Sequence, residues 1–123
     1  MAVILCADDD VHTLYTIWKT LKADGMKVLT AGNGPAALEI ARNYPGPIDL
    51  LITSLDLPRT SGTELAGAIS AEHPETKALL MSRDYLVSGQ ASISGLPFLQ
   101  KPFTASALRD SVAAVLGPEP SVG

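Results

Sequence analysis

The chain is poor in the residues that would place it in several large classes. It has one cysteine, Cys6, among 123 residues. A lone thiol excludes an internal disulfide and any cysteine-based zinc site. Its place inside an apolar run reads as a small buried hydrophobe rather than a reactive thiol. Only 9 residues are Lys or Arg against 13 Asp or Glu, a net charge of −4. That argues against a nucleic-acid surface built on bulk positive charge. No apolar run approaches the roughly 20 residues that span a bilayer. The first residues, Met1-Ala2-Val3-Ile4-Leu5, carry neither a basic segment nor a small-residue cleavage site. No signal peptide is therefore expected, and the chain is expected in the cytoplasm. No G-x-G-x-x-G follows the first apolar run and no Walker A sequence occurs, which leaves little ground for a nucleotide-binding enzyme. His12 and His73 have no partner at metal-ligand spacing.

What is present is regular. The hydrophobic share of 46% with 18% charged residues suits one globular domain with a real core. Residues 2–7 are short and continuously apolar, the pattern of a strand buried on both faces. They end in three acids, Asp8-Asp9-Asp10. From Val11 to Ala23, Leu14, Ile17, Trp18 and Leu21 fall at i, i+3, i+4, i+7, the stripe of a half-buried helix. Tyr15 and Trp18 read as part of that packing. Asp24-Gly25 stops the helix, with Gly25 available for a left-handed cap. Further strands are expected at Lys27–Ala31, Asp49–Thr53, Lys77–Met81 and Leu96–Gln100. A second helix is expected over Pro35–Asn43, opened by Pro35. A third is opened by a capping box of Ser61 and Glu64 and ended by His73-Pro74. From Arg83 to Gly95 the helical pattern is weak, and a short or irregular fourth helix is expected. Thr104 is the expected N-cap of a last helix in which Leu108, Val112, Val115 and Leu116 align. Residues 118–123 are expected to form a disordered tail, which leaves 1–117 as the domain.

Five β-α units at this spacing imply a parallel sheet with helices on both faces and right-handed crossovers. Sheets of that kind place function at the carboxyl ends of their strands. Asp8, Asp9 and Asp10 follow the first strand, Ser54 the third, Ser82 the fourth and Lys101 the fifth. Arg59 and Arg83 flank this set and could contact an anion, but they read first as solvated loop charges.

Four separated pieces, ILCADDD, DLLITSLDLPRTSG, ALLMS and FLQKPF, occur in this order on that pattern. Together they resemble the receiver domain of bacterial two-component signalling, the response-regulator or CheY-like family. The resemblance covers essentially the whole chain. It implies an α/β fold, a (βα)5 flavodoxin-like three-layer sandwich with a five-stranded parallel sheet of order 2-1-3-4-5. It implies a phosphorelay signalling role rather than enzymatic activity. Asp8 and Asp9 match the acidic pair that holds Mg2+, and Asp56 sits where a backbone carbonyl completes the metal site. Ser82 matches the hydroxyl residue that contacts the phosphoryl group and relays its presence. Lys101 matches the lysine that pairs with the phosphoryl oxygens, and Pro102 a proline that is typically cis. Phe98 matches the aromatic switch position. The implied partner is a sensor kinase or downstream regulator, docked on the face formed by helix 4, strand 5 and helix 5. Neither nucleic acid nor membrane is implied, and the expected state is a monomer or weak dimer.

One residue departs from the family pattern. Aligned through Asp49 before it and Pro58 and Gly62 after it, Ser54 occupies the place of the phospho-accepting aspartate. A hydroxyl is a poor nucleophile without a base. Its phosphate would be an ester, without the lability of an acyl phosphate. The metal site also loses one of three carboxylates, so Mg2+ is expected to bind weakly. These points lead to a pseudo-receiver, with Lys101 paired to Asp8 or Asp9, that acts by protein-protein interaction. The alternative is a working receiver that takes a phosphoryl group on Asp56 or Ser54 with Mg2+.

Overall fold

Two of the strands are buried from end to end because helices cover both faces of the sheet. The structure, a computed structural model, describes residues 1–83 and 96–117. Its strands are β1 (Val3–Ala7), β2 (Lys27–Ala31), β3 (Leu50–Ser54), β4 (Lys77–Ser82) and β5 (Phe98–Gln100). They form one parallel sheet in the order β2-β1-β3-β4-β5. The described helices are α1 (Val11–Ala23), α2 (Gly34–Asn43), α3 (Gly62–Glu72) and a C-terminal helix (Ala105–Leu116). The expected fourth helix falls largely on residues 84–95, which lie outside the described residues, as does the tail at 118–123.

The alternation of side chains along a strand divides the core in two. Val3, Leu5, Ala7 and Leu51 join Ala37, Ala41, Leu65 and Ile69 of α2 and α3 on one face. Ile4, Cys6, Leu50 and Ile52 join Ile17 and Leu21 of α1 and Leu108 and Val112 of the C-terminal helix on the other. Each fully buried Leu or Ile contributes about 1.5–3 kcal/mol of hydrophobic stabilisation. A central strand with partners on both faces therefore has no polar positions until its end.

The helix ends follow their sequence signals with two differences. Asp10 caps α1 by accepting the His12 N–H at 3.0 Å. Gly25, at φ 86°, takes the left-handed position past its other end. Asn33 caps α2 and Thr104 the C-terminal helix, each accepting an N–H three residues on. At α3, Ser61 Oγ accepts the Glu64 N–H at 3.2 Å. Glu64 Oε1 accepts from the Ser61 hydroxyl at 3.1 Å, rather than from the Ser61 backbone N–H expected of a capping box. The second difference is on α1, where Tyr15 is 57% exposed instead of packed inward. It lies one residue past Leu14, about 100° round the helix from it, and Ile17 and Leu21 fix the buried stripe on the other side. Trp18 is half-buried at the edge of the stripe, 6.0 Å from the Tyr15 ring and under the Lys22 ammonium.

Strand limits shift by small amounts. β3 begins at Leu50 and includes Ser54, β4 includes Ser82, and β5 begins at Phe98. Ser54 and Ser82 are thus strand-terminal residues, held by the sheet itself.

Candidate functional site

The strand ends gather a small polar group under a buried roof. Asp8 follows β1 and is fully buried. Its backbone N–H still bonds Ala31 O at 3.1 Å, so the sheet fixes where its side chain starts. Ser54 ends β3 at 4% exposure and Ser82 ends β4 at 2%. Lys101 follows β5, its N–H bonded to Ser82 O at 2.8 Å. The Lys101–Pro102 peptide bond is cis.

Lys101 Nζ donates to Asp8 Oδ2 at 2.5 Å. The other carboxylate oxygen, Oδ1, accepts the Asp10 N–H at 2.9 Å. Both oxygens of Asp8 are therefore engaged within the chain. Ser54 Oγ accepts the Asp56 N–H at 3.3 Å, and the neighbouring Thr53 hydroxyl donates to Ser54 O at 3.0 Å. No buried side-chain nitrogen or oxygen among the described residues lacks a hydrogen-bond partner. The pocket is balanced in charge and satisfied in hydrogen bonds as it stands.

The remaining sequence-derived residues lie further out. Asp9 is exposed, and Asp56 is exposed two residues beyond the strand end. Phe98 is half-buried at the start of β5, opposite Leu80. Among the described residues no group of three or more His, Cys, Asp or Glu side chains is placed to hold a metal ion. With Asp8 committed to Lys101 and a hydroxyl at 54, the residues present fit a resident divalent cation poorly.

The loop between β3 and α3 is pinned against the site. Leu55 N–H bonds Met81 O at 2.9 Å, and Gly62 N–H bonds Leu55 O at 3.0 Å. A Cβ on Gly62 would stand 2.2 Å from Ser54 O, so this closure requires glycine. Arg59 sits in the same loop at φ 72°, a left-handed conformation costing a non-glycine residue about 1–2 kcal/mol.

Two titratable groups near the site are displaced from their ordinary values. Burial, and then the neighbouring Asp8 charge, push the Cys6 thiol far up, so it stays protonated. The Thr13 hydroxyl, and then the His12 N–H, hold the Asp10 carboxyl below its usual value. Asp10 also meets Arg83 Nη2 at 3.6 Å. Sequence reasoning read Arg83 as a solvated loop charge and missed this contact, which joins residues far apart in the chain.

The family model for the response regulator receiver domain matches residues 4–113. The sensor kinase CckA of Brucella abortus is 26% identical over 117 residues, covering 93% of this chain and 12% of that protein. The chemotaxis protein CheY of Pseudomonas aeruginosa is 28% identical over 114 residues, covering 87% of this chain and 90% of that one. The crystal structure of the response regulator TrrA from Thermotoga maritima, in complex with Mg(2+)-BeF, superposes with a TM-score of 0.79 at 27% identity. That match covers 93% of this chain and 98% of TrrA. The chain spans between 12% and 31% of the length of the first curated relatives it matches. No helix among the described residues is long and apolar enough to cross a membrane. With five parallel strands in the order β2-β1-β3-β4-β5 and the matched family spanning most of its length, the chain belongs to the response regulator receiver domain family, the CheY-like modules of two-component signalling.

Proposed function

We propose that this receiver domain is a pseudo-receiver, which takes no aspartyl phosphate at residue 54 and acts by binding a protein partner. The observation that carries this reading is the pairing at the strand ends. Lys101, the one buried cation among the described residues, is bonded to Asp8, and the residue at the end of β3 carries a hydroxyl. Phosphoryl transfer needs an in-line nucleophile and cationic groups free to meet the phosphoryl oxygens. Among the described residues no base bonds the Ser54 hydroxyl: its Oγ accepts the Asp56 N–H at 3.3 Å.

Mg2+ fits this reading only as a weak ligand. One carboxylate at about 4 Å from a divalent cation is worth about 8 kcal/mol at an effective dielectric near 20, before desolvation. Ser54 supplies no such charge. Asp8, Asp9 and the Asp56 carbonyl remain as the donors for an ion that keeps most of its water. Ser82, Phe98 and the Lys101–Pro102 segment, phosphoryl-contact and switch positions by resemblance, then serve as fixed parts of one conformation. The docking face is that of β5, the C-terminal helix and the expected fourth helix, the last of which lies outside the described residues. The setting is cytoplasmic, and the domain is monomeric or weakly dimeric.

The experiment is incubation with acetyl phosphate and Mg2+, read by intact mass at neutral pH and after acid. No adduct is expected. A stoichiometric acid-labile adduct mapped to Asp56 would select a working receiver, and an acid-stable adduct on Ser54 would select phosphoserine chemistry. Ser54→Asp is the companion variant and is expected to gain an acid-labile adduct.

A further inference from the structure

Two ion pairs join residues that follow strands on either side of β3, at different depths. Strands β1, β3, β4 and β5 are neighbours in that order, about 4.8 Å apart. Lys101 follows β5 and Asp8 follows β1, so their buried contact spans the ends of β4 and β3. Arg83 follows β4 and Asp10 lies just past β1. The ends of those strands are about 10 Å apart, and the strand between them is β3. The Arg83–Asp10 contact at 3.6 Å therefore joins the ends of the two strands that flank β3, the strand that ends in Ser54. Beside it lies a cavity of about 210 Å³ lined by Asp10, His12, Thr13, Arg83, Lys101 and Phe103, among others. That volume is roughly the share of seven liquid waters, room enough for a small solute.

We propose that Arg83 and Asp10 form a strap across the mouth of the Ser54 pocket, which limits access from this cavity to the Ser54 hydroxyl. The two pairs differ in how readily they open. The Lys101 and Asp8 side chains are 9% and 0% exposed. Those of Arg83 and Asp10 are 75% and 33% exposed, so the outer pair is weak and screened by salt. Asp10 is anchored independently, by the His12 N–H and the Thr13 hydroxyl. Arg83 is thus the moving part. An anionic group of a partner, carboxylate or phosphate, that draws off the guanidinium opens the strap and leaves the Lys101–Asp8 pair in place. The strap does not depend on whether residue 54 accepts a phosphoryl group.

The test is alkylation of a Ser54→Cys variant by iodoacetamide, a neutral reagent. Cys6 is fully buried, and the parent protein measures its background. Adding Arg83→Ala is expected to raise the rate about two- to five-fold at low salt, the span of an exposed ion pair. Losing a nearby cation would alone raise the thiol pKa and slow the reaction, so acceleration reports access rather than charge. Asp10→Asn keeps an N-cap acceptor and is expected to accelerate equally, while Arg83→Lys restores the slow rate. Molar salt is expected to accelerate the Arg83 protein and leave Arg83→Ala unchanged. In the chain without the new cysteine, Arg83→Ala is expected to speed hydrogen exchange of the Asp56 amide that bonds Ser54 Oγ. Equal alkylation and exchange rates with and without Arg83, or an equal salt effect on both, overturn the strap.

Discussion

The pairs Lys101–Asp8 and Arg42–Glu72 have opposite merits. Arg42 meets Glu72 through two parallel bonds, each 2.9 Å, and ties α2 to α3. This is the fork geometry that makes arginine–carboxylate pairs specific. Lys101 meets Asp8 through a single bond, from Nζ to Oδ2. The side chains of the first pair are 58% and 38% exposed, and those of the second 9% and 0%. In the open, each partner falls back on water when the other is removed, and little is lost. In the interior the survivor is a stranded charge. The contrast teaches that depth, rather than the number of bonds drawn, decides which pair the fold depends on.

The contrast can be broken or sharpened by measurement. Lys101→Met is expected to destabilise by about 3–5 kcal/mol, because Asp8 is left charged and alone. Adding Asp8→Asn to Lys101→Met is expected to recover most of it. Urea unfolding is the assay, and a single variant that unfolds like the parent breaks the contrast. Ser54→Asp should come next, at about 1–2 kcal/mol, since two carboxylates would then share one lysine. Millimolar Mg2+ is expected to return part of that loss by favouring the native state. Arg42→Ala is expected to lower the thermal midpoint at neutral pH only slightly.

The smallest effect is in the acid limb. Hydrogen bonding from Arg42 first, and its charge after, hold the Glu72 carboxyl below the ordinary 4.5. A depressed folded value means stabilisation that is complete above the ordinary value and lost as pH falls through the lowered one. Asp10 behaves with the same sign below its ordinary 3.8, through Thr13 and then His12. Acid titrations of the parent and of Arg42→Ala, followed by circular dichroism, are expected to converge at low pH and differ slightly above it. Divergence that grows as pH falls would give the wrong sign.

Most of the sheet is legible in the chain because its central strands have helices on both faces. Apolar runs such as Val3 to Ala7 and Leu50 to Ile52 have no other use in a chain this short. The helix starts are legible for a local reason: Asp10, Asn33, Ser61 and Thr104 each satisfy an N–H two or three residues away. The polar group at the strand ends is legible only in outline. Periodicity places Asp8, Ser54, Ser82 and Lys101 at one end of the sheet, but strand order decides who meets whom. Lys101 chose Asp8 over the exposed Asp9 because Asp8 alone continues inward from β1. The Arg83–Asp10 contact was illegible, since it exists only when β3 lies between β1 and β4. Tyr15 was misjudged because it borders a stripe whose centre is set by Ile17 and Leu21. Outside the described residues, the expected fourth helix stands as an expectation.

Gly62 has a mechanical consequence. Its missing side chain lets the loop after β3 close on itself, with Leu55 tied to β4 and Gly62 tied back to Leu55. The end of β3 and the first turn of α3 are then one rigid body with no slack between them. A push on residue 54 reaches α3 undamped, and a pull on α3 is felt at residue 54. Residue 54 and the start of α3 are thereby joined through the backbone alone, with no side chain between them.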